Sequence, residues 1–170
     1  MSLTTKIENA EFIITVDPGR RVIKNGSLIF VDDLITKIGK AEELSDIPAD
    51  RVINAADMVI TPGFLNGHMH ISYAHATRGI FPDDLGPAYY PYVFSLQEIM
   101  TPEEEYYTSL LALTELLKYG TTTILDPGST KYLDACYPAY RESGCRIITG
   151  QQVTDKANPW NLPVYTTDEA

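Results

Sequence analysis

Two hydrophobic rhythms divide the sequence near Asp57. From Lys6 to about Asp57 the apolar residues come in short runs and period-two alternations, broken by turn residues, the pattern of short strands. Phe12-Ile13-Ile14-Thr15-Val16 stops at Asp17-Pro18-Gly19, a turn by composition. Val22-Ile23 runs to Asn25-Gly26, a strong hairpin signal, from which Ser27 to Val31 is expected to return. Leu34 to Gly39 alternates apolar and polar, Ala41 to Ala49 reads as loop, and Arg51 to Asn54 is one more short strand. The expectation for residues 1–57 is a small antiparallel sheet of four or five strands, part of a β-sandwich.

After Asp57, strands alternate with helices. Met58 to Ile60 is expected to form the strand that leads through Pro62-Gly63 toward two histidines. Ser72 to Met100 is a long connection rich in Tyr, Pro and Asp, with short helical pieces; connections of such length usually serve function. Thr101-Pro102-Glu103-Glu104 carries an N-cap, a proline at the first helical position and a capping-box glutamate. Tyr106, Leu110, Leu113 and Leu117 then recur at helical spacing and are expected to face a core, until Lys118 and Gly120 close the helix. Thr121 to Leu125 is β-branched and apolar, a buried strand ending at Asp126-Pro127-Gly128. Tyr132 to Arg141 reads as a helix, with Pro138 marking a kink or a second start, and Cys145 to Gly150 as a third strand. Residues 58–170 are therefore expected to be a parallel βαβ series.

Candidate chemistry lies at the start of that series. His68 and His70 are two of only three histidines in the chain. In extended backbone, residues two apart share a face, with Cα atoms roughly 6.5–7 Å apart at ~3.3 Å rise per residue. Two imidazoles so placed can converge on one metal ion at ~2.0–2.1 Å per Zn–N bond. Gly67 leaves space beside the first of them. His68 and His70 are the candidate metal ligands.

Charge and composition narrow the field. A formal net charge of −10 argues against nucleic acid or an anionic membrane as partner, because phosphate binding needs clustered Lys and Arg. No apolar run approaches the ~20 residues of a membrane span, and the N-terminus has no signal-peptide core. Cys136 and Cys145 suit reduced thiols and a cytoplasmic protein better than a disulfide scaffold.

The run Pro62-Gly63-Phe64-Leu65-Asn66-Gly67-His68-Met69-His70, together with Tyr119-Gly120-Thr121-Thr122-Thr123, resembles the amidohydrolase superfamily. More narrowly it is similar to the group of aminohydrolases and chlorohydrolases that includes atrazine chlorohydrolase and the cytosine, guanine and S-adenosylhomocysteine deaminases. Arg78-Gly79, the Thr101-Pro102-Glu103-Glu104 helix start and Gly144-Cys145-Arg146 match the same pattern. The spacer from His70 to Arg78 is a residue longer than in the triazine hydrolases, so substrate contacts there do not carry across.

The resemblance implies a metal-dependent (β/α)₈ barrel flanked by a β-sandwich, with two further histidines and an aspartate after later strands. No histidine follows His75, and a barrel needs ~250 residues. The expectation is thus the N-terminal part of a hydrolase, about three of eight βα units, with its catalytic acid–base groups beyond residue 170 and little activity of its own. The implied enzyme activates water to attack an sp² carbon of a small heterocyclic amidine or amide, with zinc as the expected ion (iron and manganese also accept imidazole) and a homo-oligomer as the expected complete assembly.

Secondary candidates are His75 and Arg78 as substrate contacts, and Tyr73, Tyr89, Tyr90 and Tyr92 as a stacking surface for a planar ring. Asp126 ends a strand on the chemical face, although Asp-Pro-Gly is first of all turn chemistry. Two alternatives stand beside the hydrolase. One is a non-catalytic scaffold on the same fold. The other is a self-contained metal module drawing its other ligands from His75, Asp83, Asp84 or Asp126. A zinc deaminase of the cytidine-deaminase type is excluded, since its His-x-Glu and Pro-Cys-x-x-Cys motifs do not occur.

Overall fold

The computed structural model describes residues 2–128, 130–159 and 163–169, with the Asp83 side chain outside the described set. The chain divides into two compact units, Met1–Pro62 and Gly63–Ala170.

The first unit is a five-stranded sheet. Strands β1 (Thr4–Ile14), β2 (Val22–Val31) and β3 (Leu34–Lys40) form an antiparallel meander, while β4 (Arg51–Asn54) and β5 (Val59–Ile60) both pair with β1 in parallel. The sheet is therefore mixed rather than antiparallel throughout. The expected hairpin at Asn25-Gly26 is also corrected: β2 runs straight through that pair, and the chain reverses at residues 15–21 instead. Space is the reason. A Cβ on Gly26 would lie 2.6 Å from Cδ1 of Ile13, so the glycine admits a core side chain rather than a turn. Asn25 takes the left-handed φ of 50° at that point, and β1 answers with a bulge between Ile7 and Ala10. Ala10, Ile13, Leu28 and Ala55 are the buried centre of this unit.

Met58 to Ile60 does not lead into the histidines. Its Val59 and Ile60 pair with Phe12 and Ile13 in the first sheet. The strand that precedes the histidines is β6 (Phe64–Asn66), which opens the second unit. There β6, β7 (Thr121–Asp126) and β8 (Arg146–Thr149) form a parallel sheet in sequence order. Between β6 and β7 lie α1 (Tyr73–Ala76), a 3₁₀ stretch (Asp83–Ala88), α2 (Tyr89–Ile99) and α3 (Pro102–Lys118); α4 (Leu133–Ser143) joins β7 to β8. The long connection is more helical than its composition suggested. Pro91 falls in the first turn of α2, where a missing N–H breaks no helical hydrogen bond.

Helix α3 starts as the sequence requires. Thr101 Oγ1 accepts the Glu104 N–H at 3.2 Å, and the Glu104 carboxylate accepts the Thr101 N–H at 2.8 Å. Thr101→Ala is expected to cost about 1 kcal/mol of stability, measurable by chemical denaturation. Tyr106, Leu110 and Leu113 reach the core as expected, Leu113 fully buried; Leu117 is exposed instead, and Glu105, Ser109 and Ala112 are buried beside them. Helix α4 continues through Pro138 without interruption. Leu113, Ala112, Ile71, Ile124, Cys136 and Ala139 close the core between these helices and the sheet. Among the described residues no helix is long and apolar enough to cross a membrane.

Candidate metal centre

Beyond Asn66 the chain leaves regular pairing but stays tied to β7. The Asn66 side chain accepts the His68 N–H at 3.2 Å, bending the backbone over Gly67. The Met69 N–H then donates to the Leu125 carbonyl at 3.0 Å, and the Ile71 N–H reaches Asp126 Oδ2 at 3.4 Å. Alternation does the rest. Ile71 is buried in the core with Met69 packed against it, whereas His68 is exposed and His70 half-buried.

The two rings lie 5.0 Å apart, centre to centre, at 89° to one another. An ion bonded to both would sit ~3.2 Å from each ring centre, taking a ~2.1 Å Zn–N bond plus about 1.1 Å from nitrogen to ring centre. At a tetrahedral angle those centres would be roughly 5 Å apart, which the observed spacing matches. The pair therefore fits one divalent ion. Among the described residues no group of three His, Cys, Asp or Glu side chains is arranged to hold a metal, whereas a catalytic zinc site usually has three protein ligands.

Asp126 stands behind the pair. It is 1% exposed; Oδ1 accepts the Gly128 N–H at 2.9 Å, and Oδ2 faces Ile71. Burial pushes its carboxyl above the usual range, opposed by those two N–H donors and by the nearness of His70 and His68. Gly128 has φ of 80°, and a Cβ there would run into the Gly150 carbonyl at the end of β8. The turn after β7 is thus wedged between the ends of its two neighbours.

The backbone just after the histidines is strained. Ser72 is fully buried with φ 72° and ψ −110°, outside the regions open to a residue with a Cβ. Its hydroxyl pairs with Thr108 Oγ1 of α3 at 3.0 Å, and its carbonyl accepts the N–H groups of His75 and Ala76. The turn that begins α1 depends on this residue, which no sequence signal singled out.

His75 and Arg78 meet at Glu115 of α3. Arg78 Nη1 donates to Glu115 Oε2 at 2.6 Å, and His75 Nε2 lies 3.0 Å from the same oxygen. The guanidinium is the main reason that the Glu115 carboxyl falls below its ordinary value. Arg78 is still 59% exposed and keeps other N–H groups open to solvent, whereas the His75 side chain is 8% exposed. Of the tyrosines, Tyr73 is buried with its ring 6.1 Å from that of His70, while Tyr89, Tyr90 and Tyr92 are exposed along α2. Asp84 is exposed on the 3₁₀ stretch, and among the described residues it joins no group of three possible metal ligands. The side chain of Asp83, the remaining module candidate, lies outside the described residues.

Comparison with known proteins places the chain in a family. The chain is 34% identical over 142 residues to the 5'-deoxyadenosine deaminase of Methanosarcina barkeri, covering 82% of this chain and 31% of that protein. It is 30% identical over 154 residues to the 5-methylthioadenosine/S-adenosylhomocysteine deaminase of Lawsonia intracellularis, covering 89% and 34%. The chain thus spans about a third of the length of these curated relatives. The fold also superposes on the atrazine chlorohydrolase of Arthrobacter aurescens TC1 complexed with zinc, with a TM-score of 0.78 at 23% identity over 97% of this chain and 40% of that one. Residues 59–169, which carry the histidine pair and the three parallel strands, match the model of the amidohydrolase family, and the chain belongs to that family.

Proposed function

We propose that the protein carrying this chain is a metal-dependent aminohydrolase acting on an adenosine-type nucleoside, within a (β/α)₈ barrel of which β6, β7 and β8 are the first strands. The observation that supports it most is the convergence of His68 and His70 at the C-terminal edge of a parallel sheet, where barrel enzymes keep their chemistry. The substrate class comes from the two relatives named above, both deaminases of adenosine derivatives. The net reaction exchanges the exocyclic amino group for a water oxygen at an sp² ring carbon, releasing ammonia.

In this proposal His68 and His70, as neutral imidazoles, hold a zinc ion through one ring nitrogen each. When bound, zinc would supply a Lewis acid and lower the pKa of water to ~7. The remaining ligands and the acid–base carboxylate are assigned to the part of the protein's relatives that this chain, about a third of their length, does not span. Asp126 anchors the histidine segment, and Tyr73 packs beside His70 to restrict its ring. The Glu115 pair sets the position of α1, and the free edge of the Arg78 guanidinium supplies hydrogen-bond donors toward the substrate side. Exposed Tyr89, Tyr90 and Tyr92 offer faces on which a purine could stack.

The test is metal analysis and ammonia release with 5'-deoxyadenosine and 5-methylthioadenosine. The protein is expected to hold zinc, to lose activity on dialysis against a chelator and to regain it on adding zinc. Undiminished turnover in metal-free protein would refute the metal centre. Absence of ammonia from either nucleoside in zinc-loaded protein would refute the substrate class alone.

A further inference from the structure

Asp126 has a role that the turn it begins does not exhaust. Its carboxylate is buried at the end of the central strand and shared between two strand ends: Oδ1 closes the Asp-Pro-Gly turn on Gly128, and Oδ2 faces the N–H of Ile71, the residue after His70. The Ile71 contact continues the ladder that Met69 begins on Leu125, so the histidine segment is held at two consecutive points with His70 between them. Gly128, wedged against Gly150, prevents the turn from carrying the carboxylate away. Two neutral N–H donors, one of them at 3.4 Å, are thin compensation for a fully buried carboxylate. A cation between His68 and His70 would complete it, and by reciprocity the carboxylate would favour that cation.

We infer that Asp126 is a positioning residue for the metal centre, fixing the backbone after His70 and placing buried negative charge behind the histidine pair. It acts through Ile71 and His70 and does not touch the ion. The inference rests on the metal-centre proposal above. Residues behind the ligands typically change metal affinity by about 10–100-fold when replaced.

Cobalt(II) titration of the metal-free protein, followed by visible absorption, tests it without recourse to activity. Asp126→Asn keeps the size but removes the charge, and is expected to weaken cobalt binding by about 10–100-fold and to alter the visible bands. Asp126→Glu keeps the charge but moves the carboxylate by a methylene; it is expected to weaken binding as well, and stands in should the amide variant not fold. Asp134→Asn, an exposed acid in the first turn of α4, controls for net charge and is expected to bind as the unmodified protein does. Unchanged affinity and spectrum in either Asp126 variant would overturn the inference while leaving the metal centre standing. An unmodified protein that takes up no cobalt would instead overturn the metal centre itself, and the inference with it.

Discussion

His70→Ala is expected to reduce zinc content below a tenth of an equivalent and to lower turnover by at least ~10³-fold, or about 4 kcal/mol of transition-state stabilisation. His68→Ala should do the same. The size follows from the ligand count: a catalytic zinc site usually holds three protein ligands, and losing one leaves too few to retain the ion. The fold should hardly notice. His68 is exposed and His70 half-buried, and neither belongs to the core cluster that Ile71 and Met69 enter. Surface substitutions of this kind usually stay within about 0.5 kcal/mol in stability. Met69→Ala is the opposite case, expected to lower the thermal midpoint while leaving zinc content near one equivalent. The crossed pattern, measured by metal analysis and thermal unfolding on the same samples, separates ligation from packing. Full zinc occupancy in His70→Ala would remove the pair from the site.

What the sequence revealed and what it hid follow a physical division. Local signals were legible: the Thr101 to Glu104 capping box, the β-branched run from Thr121, and the spacing of His68 and His70 all act within a few residues. Signals that depend on partners distant in sequence were not. Asn25-Gly26 has the composition of a hairpin, but Ile13 on the neighbouring strand needs the room above Gly26, and the strand continues. Val59-Ile60 reads as the strand before the histidines, yet it completes the first sheet through β1. Tertiary pairing decides between two equally apolar strands, and nothing in either one announces its partner. The site divides in the same way. Its two imidazoles could be read from their spacing, whereas Glu115, Ser72 and the reach of Asp126 toward Ile71 exist only once α3 and β7 have packed beside the histidine segment.

Glu105 is the residue the sequence conceals most, because Glu103-Glu104-Glu105 looks like one solvated acidic cluster at a helix start. The third of these acids is completely buried. Its two oxygens accept the N–H groups of Lys131 at 3.0 Å and Tyr132 at 2.8 Å, binding α3 to the beginning of α4. Glu105→Ala would leave both donors buried and unpaired, together with a cavity beside Cys136. Each buried N–H left without an acceptor costs about 1–3 kcal/mol and the cavity adds to this, so a loss of about 3–5 kcal/mol is expected by chemical denaturation. The pH dependence has an unusual sign for an acid. Burial is the largest influence on Glu105 and raises its pKa above 4.5, outweighing the two N–H donors. The folded state therefore holds the proton more firmly than the unfolded chain does. Its contribution is full below pH 4.5 and declines as pH rises through the elevated folded value. Glu105→Gln cannot titrate, so the stability difference between native protein and this variant should be largest in acid and shrink toward neutrality. A difference that instead grew with pH would mean that the helix N-terminus outweighs burial and holds Glu105 as the anion.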